Sequence, residues 1–414
     1  MSKTLIRNGT LIDGTGRDPI PDAAILVEDN HIVKVGPEAA LSLQDEQFTE
    51  LDAQDGFILP GFIDAHVHLS MEGFDLQKML LTPFSYNFYK SMDNFRRTIM
   101  AGVTCVRDAG GVDLGMKKAA DEGLFLGPRV KISVGALSIT SGHGDSWLPS
   151  GVDLNQFIAY PGMPDGRCDG AEEVRKKVRE MLRSGAEVIK IFSTGGVGSP
   201  TDRPEYTQFS PEELAVIVNE AAYYGGKKVM SHAEGAEGIK TAIRAGVHSI
   251  EHGIYIDDEG IQMMIEKGTF LVPTLFALHA IFDLVEAGES MPPYVIEKAR
   301  EVSGIHKENI ARAFQAGVKI AMGTDSGVGP HGNNLRELSL MCEIGMTPMQ
   351  AVVATTKTAA ECLEWQDRLG TLEKGKLADI VIWKTNPLED ITSLADNTNA
   401  MVILKDGKIV KDLL

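Results

Sequence analysis

Apolar and polar residues alternate with a period of two at both ends of the chain. KTLIRNGTLIDG (from Lys3), AAILVEDNHIVKVG (from Ala23) and GFILP (from Gly56) carry the pattern, punctuated by N-G, D-N and G-P. Such alternation predicts half-buried strands joined by turns. Near the C-terminus LADIVIWK and MVILKDGKIV, the latter with a D-G turn, repeat the texture. Neither set can bury a core alone, so the two are expected to pair into one small β-sandwich domain, residues 1–57 with 369–414.

Between them the rhythm changes to short apolar runs separated by helical stretches. The runs are GFIDAHVHL, VTCVRDAG, RVKISVGAL, EVIKIFSTGG, KKVMSHAEG, VHSIEHG, FLVPTL and VKIAMGTDSG. Helix is predicted at 171–185, after Ser210 as N-cap with Pro211 at N1, and at 300–316 before Gly317. Strands alternating with helices in this number predict an α/β fold, a closed (β/α)8 TIM barrel over residues 58–368. No G-x-G-x-x-G follows the first run, which removes weight from a dinucleotide fold. Two stretches lack periodicity: 139–170, rich in Gly, Pro, Ser and Asp, and the region around 286–293, ending in MPP. In a barrel, loops that follow strands open on the face where active sites sit.

Composition narrows the classes. The 414 residues are 43% hydrophobic and 24% charged, ordinary for a soluble globular protein. With 58 acidic against 40 basic residues the formal charge is −18. No basic stripe breaks that excess, so nucleic acid is excluded as a partner, and the acidic surface is read as a solubility device. Cys105, Cys168, Cys342 and Cys362 form no C-x-x-C pair, which argues against a zinc finger or a disulfide framework. The start MSKTLIRNGTLIDGTG lacks a basic segment followed by an apolar one, and no run approaches the ~18 apolar residues of a membrane span. A cytoplasmic protein without a membrane partner is expected.

The chemistry sits at the ends of the apolar runs. His66 and His68 are two apart on the first, so they share a face of the strand and can converge on one ion. Lys190 falls inside VIKIF, where a buried ammonium is costly unless paired or chemically altered. His232, His252 and Asp325 follow three further runs. Imidazole and carboxylate together suit Zn, Mn or Fe(II). Each of these residues alone is a weak signal; five strand ends together are a strong one. His248 is read as structural, His31, His279 and His306 as surface or packing residues, and Met263, Met264, Met341 and Met346 as core filling.

The ordered motifs P-G-F-I-D-A-H-V-H-L, V-I-K-I-F-S-T-G-G, S-H-A-E-G, S-I-E-H-G, M-G-T-D-S-G and G-x-L-x-x-G-K-x-A-D-I-V resemble the amidohydrolase superfamily over nearly the whole chain. The resemblance implies two divalent metal ions, zinc in the first instance. His66, His68 and Asp325 would bind one, His232 and His252 the other, and Lys190, carboxylated by CO2, would bridge them as a carbamate. A hydroxide shared by the metals would be the nucleophile, its proton passing through Asp325 as general acid/base. Lys190 favours the two-metal hydrolases over mononuclear deaminases. R-D-A-G-G, S-G-H-G-D and S-T-G-G-V-G-S-P-T-D resemble the imidazolonepropionase-related group that includes Xaa-Pro dipeptidases, carboxypeptidases for C-terminal Arg or Lys, and ochratoxin-type amide hydrolases. There His143 would reach the scissile carbonyl or the substrate carboxylate.

One position departs from that group. Some relatives carry tyrosine two residues after the histidine that matches His232, where this chain has Glu234. Glu234 binds a substrate amine or pairs with a neighbouring base; the sequence leaves both open. Tyr255 and His331 are further substrate-contact candidates. The implied activity is hydrolysis of an amide in a dipeptide or N-acyl amino acid. The alternatives are a cyclic amide, lactone, urea or carbamate, or an inactive scaffold, although every ligand position is filled. The expected partner is a small-molecule substrate, within a symmetric homo-oligomer.

Overall fold

The computed structural model describes residues 3–41, 47–73, 75–155 and 159–414. The N-terminal strands are β1 (Lys3–Leu11), β2 (Ile20–Glu28), β3 (His31–Pro37), β4 (Thr49–Asp52) and β5 (Phe57–Pro60). A three-stranded parallel sheet follows, β6 (Phe62–Val67), β7 (Val103–Asp108) and β8 (Arg129–Ile132). A five-stranded parallel sheet comes next, β9 (Ala136–Leu137), β10 (Ile189–Phe192), β11 (Val229–Ala233), β12 (Ser249–His252) and β13 (Phe270–Val272). The chain ends in β14 (Ile380–Trp383), β15 (Ala400–Lys405) and β16 (Lys408–Asp412).

The described helices are α1 (Leu76–Leu81), α2 (Tyr86–Met100), α3 (Leu114–Asp121), α4 (Gly170–Arg183), α5 (Pro211–Tyr223), α6 (Ala236–Ala245), α7 (Asp258–Lys267), α8 (Leu275–Glu286), α9 (Pro293–Gln315), α10 (Arg336–Glu343), α11 (Pro348–Ala354) and α12 (Lys357–Cys362). None is long and apolar enough to cross a membrane.

The two ends of the chain join in one sheet, ordered β16-β15-β14-β5-β1-β2-β3 with β4 on the edge of β1. The seam is the antiparallel pair β5–β14, with Leu59 opposite Val381. Alternation explains where the side chains go. Ile6, Ile25, Val27, Ile58, Ile380, Ile382, Val402 and Leu404 share one apolar cluster. Their neighbours Leu59, Val381, Trp383 and Ile403 belong to the main core with residues of the parallel sheets. The terminal sheet is thereby anchored to the α/β body.

β6 and β7 are buried at every position, as strands covered on both faces must be. The third expected strand breaks into β8 and β9, with Val134 between them in the left-handed region at φ 68°. The eighth expected strand is not a regular element. Residues 320–326 are held by parallel bridges, Leu271 with Ile320 and Val67 with Ser326, so this segment links β13 to β6.

Ser210 caps α5 as expected, with Pro211 in the first turn, and completes a capping box with Glu213. α9, in contrast, starts well before the predicted residue 300. Pro292 and Pro293, read as part of a loop, instead start the helix, because proline is tolerated in the first turn where no intrahelical N–H bond is lost. The long loop 139–170, of which 156–158 lie outside the described residues, is stitched by Arg167, whose guanidinium reaches Asp145, Asp153 and Asp165.

Candidate metal centre

The C-terminal ends of the parallel strands gather the residues singled out in the sequence. His66 lies on β6 and His68 just beyond it, Lys190 on β10, His232 on β11, His252 closes β12, and Asp325 lies within the 320–326 segment that links β13 to β6. Ligand atoms of His66, His68 and Asp325 lie within 4.8 Å of one another. Lys190 Nζ is 3.4 Å from His66 Nε2. The ring of His252 sits 5.1 Å from that of His66 and 4.6 Å from that of His232, centroid to centroid. His252 and Asp325 both hold left-handed backbone, φ 71° and 57°, a conformation that non-glycine residues keep where surrounding structure imposes it.

Each imidazole has one nitrogen already committed. His66 Nδ1 donates to Glu251 Oε2 at 2.7 Å and His68 Nδ1 to the Gly110 carbonyl at 2.9 Å. His252 Nδ1 is 2.7 Å from Thr274 Oγ1, whose own hydroxyl donates to the Pro273 carbonyl, so the imidazole is the donor. In these three rings Nε2 is left with a free lone pair. His232 is reversed: Nε2 donates to the Gly195 carbonyl at 3.1 Å, leaving Nδ1 free. Hydrogen bonds of this kind fix tautomer and orientation in metal-binding histidines.

The geometry therefore aims lone pairs at one another. Asp325 Oδ1 is buried without a completed hydrogen bond, 3.2 Å from His68 Nε2 and 3.5 Å from His66 Nε2. A proton on His68 or a metal ion relieves acceptors this close, and the N/O donor set suits a divalent transition metal. Electrostatics agrees. Burial, aided by the Lys190 charge, drives His66, His232 and His252 well below the usual imidazole range, so they are neutral, the ligating form. Burial also pulls on His68, but the close approach and charge of Asp325 outweigh it and raise its pKa. Asp325 is lowered: burial opposes ionisation, and the neighbouring His68, His66 and Lys190 overcome it. Lys190 falls to about 8 through burial, against the pull of Glu251 and Asp325.

A further layer of residues escaped the sequence analysis. Glu251, fully buried, accepts from His66, from Arg107 Nη2 at 2.9 and 3.0 Å, and from Ser249 Oγ. Asp64 takes Thr324, Asn334 and the amide of His66. His306, buried in keeping with its packing reading, donates from Nε2 to the carbonyl of His252. The available signal was a charged residue inside an otherwise buried run, the same that marked Lys190.

His143 joins the centre: its ring stacks on His232 at 4.4 Å, and its Nδ1 donates to Asp202 at 3.0 Å. Only glycine fits at 196, where a Cβ would meet His143 Cε1 at 2.6 Å and His232 Nε2 at 2.7 Å. Glu234 is buried, with Oε1 3.7 Å from His232 Nε2. Burial, with the Asp202 charge, pushes its carboxyl well above the usual range. Tyr255 is half-buried beside Val197, Ile254 and Leu278, and its amide donates to the Glu234 carbonyl. His331 is buried and donates to the Met71 carbonyl. His248 bonds the Cys362 carbonyl, as its structural reading requires.

Residues 57–410 match the model of the Amidohydrolase family. The chain is 36% identical to ochratoxinase of Aspergillus niger, over 99% of this chain and 86% of that protein. Among solved structures, a Xaa-Pro dipeptidase with bound methionine in the active site aligns at TM-score 0.89 and 35% identity, over 99% of this chain and 100% of that one. A prolidase complexed with N-methylphosphonate-L-proline aligns at TM-score 0.92 and 33% identity, over the same shares of the two chains.

Proposed function

The chain belongs to the amidohydrolase family, and from that premise we propose that it is a metal-dependent hydrolase of a C–N bond, cleaving the amide of a dipeptide or N-acyl amino acid. The observation that carries this reading is the set of lone pairs described above, in which four imidazoles, each fixed by a partner, gather with Asp325 and Lys190. The Xaa-Pro dipeptidase and prolidase neighbours act, by their names, on peptide bonds, which supports the substrate class. In this reading the two parallel sheets are arcs of one (β/α)8 barrel over residues 58–368. The terminal segments 1–57 and 369–414 form the accessory β-sandwich.

His66, His68 and Asp325 would hold one divalent ion, and His232 and His252 a second. Lys190 lies against His66, and its amine, with a pKa brought to about 8, keeps a neutral fraction at neutral pH that could add CO2 and lose a proton, giving a carbamate that would serve as a further anionic ligand. A metal pair supplies Lewis acidity and brings the pKa of a water toward ~7. The protein does the rest. Asp325 would receive the proton of the attacking water on the carboxylate oxygen not given to the metal, and return it to the leaving nitrogen. His143, held by Asp202 through Nδ1, presents Nε2 to the scissile carbonyl or the substrate carboxylate.

The test is amino-acid release by zinc-loaded enzyme from a panel of dipeptides and N-acyl amino acids. Turnover with a preferred C-terminal residue is expected. Silence across the panel with two metals bound per chain refutes the proposed substrate class.

A further inference from the structure

Buried carboxylates in this protein are supplied with partners. Glu251 has Arg107, Ser249 and His66; Asp64 has Thr324 and Asn334; Asp202 has His143, Gln208 and the amide of Gly196; Glu337 accepts the amides of Leu275 and Phe276. Among the described residues two carboxylates keep a buried oxygen with no hydrogen bond, Asp325 Oδ1 and Glu234 Oε2. Asp325 is accounted for by the metal centre. Glu234 is not.

The Val197 amide reaches the Glu234 carboxylate, yet Oε2 stays open, and the other groups that could satisfy it are spent elsewhere. Lys298, on α9, is the buried cation beside it, but an ammonium has three protons. They go to the carbonyls of Gly196 at 3.0 Å, Ser199 at 2.6 Å and Asp202 at 2.5 Å. Thr194 Oγ1 accepts the Glu234 amide and donates to the Gly195 carbonyl, so its hydroxyl is also used. His232 Nε2, 3.7 Å from Glu234 Oε1, is turned to Gly195. Asp202 adds a second negative charge nearby. A buried carboxylate in such a place calls for a cation with protons to give, delivered from outside the chain.

We infer that Glu234 anchors the free α-ammonium of the residue on the acyl side of the scissile amide, so that substrates with a free amino terminus are preferred over their N-acyl or des-amino counterparts. This rests on the proposed amide hydrolysis and narrows it to a dipeptidase. In a dipeptide the α-nitrogen lies one carbon from the scissile carbonyl, about 2.5 Å from its carbon, and Glu234 stands two residues along β11 and its loop from His232. Tyr255, whose amide donates to the Glu234 carbonyl, packs with Met71 and Met291 against an apolar cluster that holds Val197, Ile254 and Val328.

The experiment uses zinc-loaded enzyme and matched pairs, each a dipeptide with the des-amino acyl analogue of the same length. Wild type should favour the free amine by on the order of 30-fold or more in kcat/KM, the size of a lost buried charge pair. Glu234→Gln, nearly isosteric, should collapse that preference toward unity, mainly through KM of the free-amine member, with metal content and melting temperature unchanged. Equal cleavage of both members by wild type overturns the inference. So does an equal loss on both in Glu234→Gln, which marks a structural residue, or loss of metal, which marks a ligand. Turnover of neither member by metal-replete wild type overturns the amide-hydrolase reading itself, and this inference with it.

Discussion

Glu251→Gln separates what holds the centre from what holds the fold. The carboxylate sits between two demands: Oε1 accepts from Arg107 and Ser249, Oε2 from Arg107 and His66. Glutamine keeps the shape but removes the charge that balances a guanidinium only 1% exposed. Breaking a buried pair this way costs about 3–5 kcal/mol. The second effect is chemical. An amide has one accepting and one donating side, and its NH2 must face Ser249 or His66. The serine hydroxyl can rotate, but it already sits between Arg107 Nη1 and the carboxylate. If the NH2 faces His66, Nδ1 becomes an acceptor and the ring proton moves to Nε2, the nitrogen aimed at Asp325. Metal affinity should then drop by about 10–100-fold, the usual effect of losing such a support.

The two effects come apart in a second variant. Arg107→Met with Glu251→Leu removes both charges, which is often close to neutral for a buried pair. The Ala65 carbonyl, which accepts Arg107 Nε at 2.7 Å, is orphaned at about 1–3 kcal/mol. Most stability should return, yet His66 still lacks an acceptor and metal affinity should stay low. Guanidinium unfolding of the metal-free proteins and chelator competition for zinc read the two quantities. An unchanged unfolding midpoint in Glu251→Gln, or metal affinity restored along with stability in the double variant, would refute the reasoning.

Lys190→Ala should lose activity and most bound metal, as metal analysis will report; an unimpaired enzyme removes the bridge. Asp325→Asn should retain much of its metal while turnover falls by about 10²–10⁴-fold, and a rate near wild type would take it out of the proton path. Lys298→Met should free the 196–202 loop that carries Asp202, lowering kcat/KM with metal retained. Combined with His143→Ala it should add little, since both act through one imidazole; full additivity in the cycle counts against that coupling. His331 is buried and neutral, its pKa lowered to about 4 by burial. Between the unfolded value near 6.5 and about 4 the unfolded chain alone takes up its proton, so stability falls as pH falls through that window, by at most about 3 kcal/mol. His331→Asn should flatten the pH dependence of the urea midpoint there, and an identical slope would contradict it.

The parts of the site legible in sequence were those that chemistry makes conspicuous within a few residues. H-V-H at the end of an apolar run, or a lysine inside VIKIF, violates local burial rules strongly enough to be seen. The supporting residues interrupt buried runs in the same way, but which of them pair obeys no local rule. Arg107 meets Glu251 across 144 positions and His143 meets Asp202 across 59, and nothing in the period of either segment encodes those pairings. The fold divides the same way. The terminal strands were visible through alternation and do join. The break at Val134 and the irregular 320–326 segment were not, because apolar runs there satisfy burial whether or not the backbone stays regular.

Where the tautomer-fixing partners come from carries a consequence of its own. His66 takes its partner from β12, His68 from the turn after β7, His232 from the loop after β10 and His252 from the residues after β13. No imidazole is oriented by its own strand, so the lone pairs converge only once neighbouring strands are in register. The unfolded chain holds the same histidines without that convergence and binds metal far more weakly. Metal binding is therefore coupled to the native state, and saturating zinc should raise the melting temperature in step with its concentration over Kd. In the proposed metal centre the buried charges that cost free energy in the metal-free chain, Asp325 with its open oxygen above all, would recover it when the cation binds.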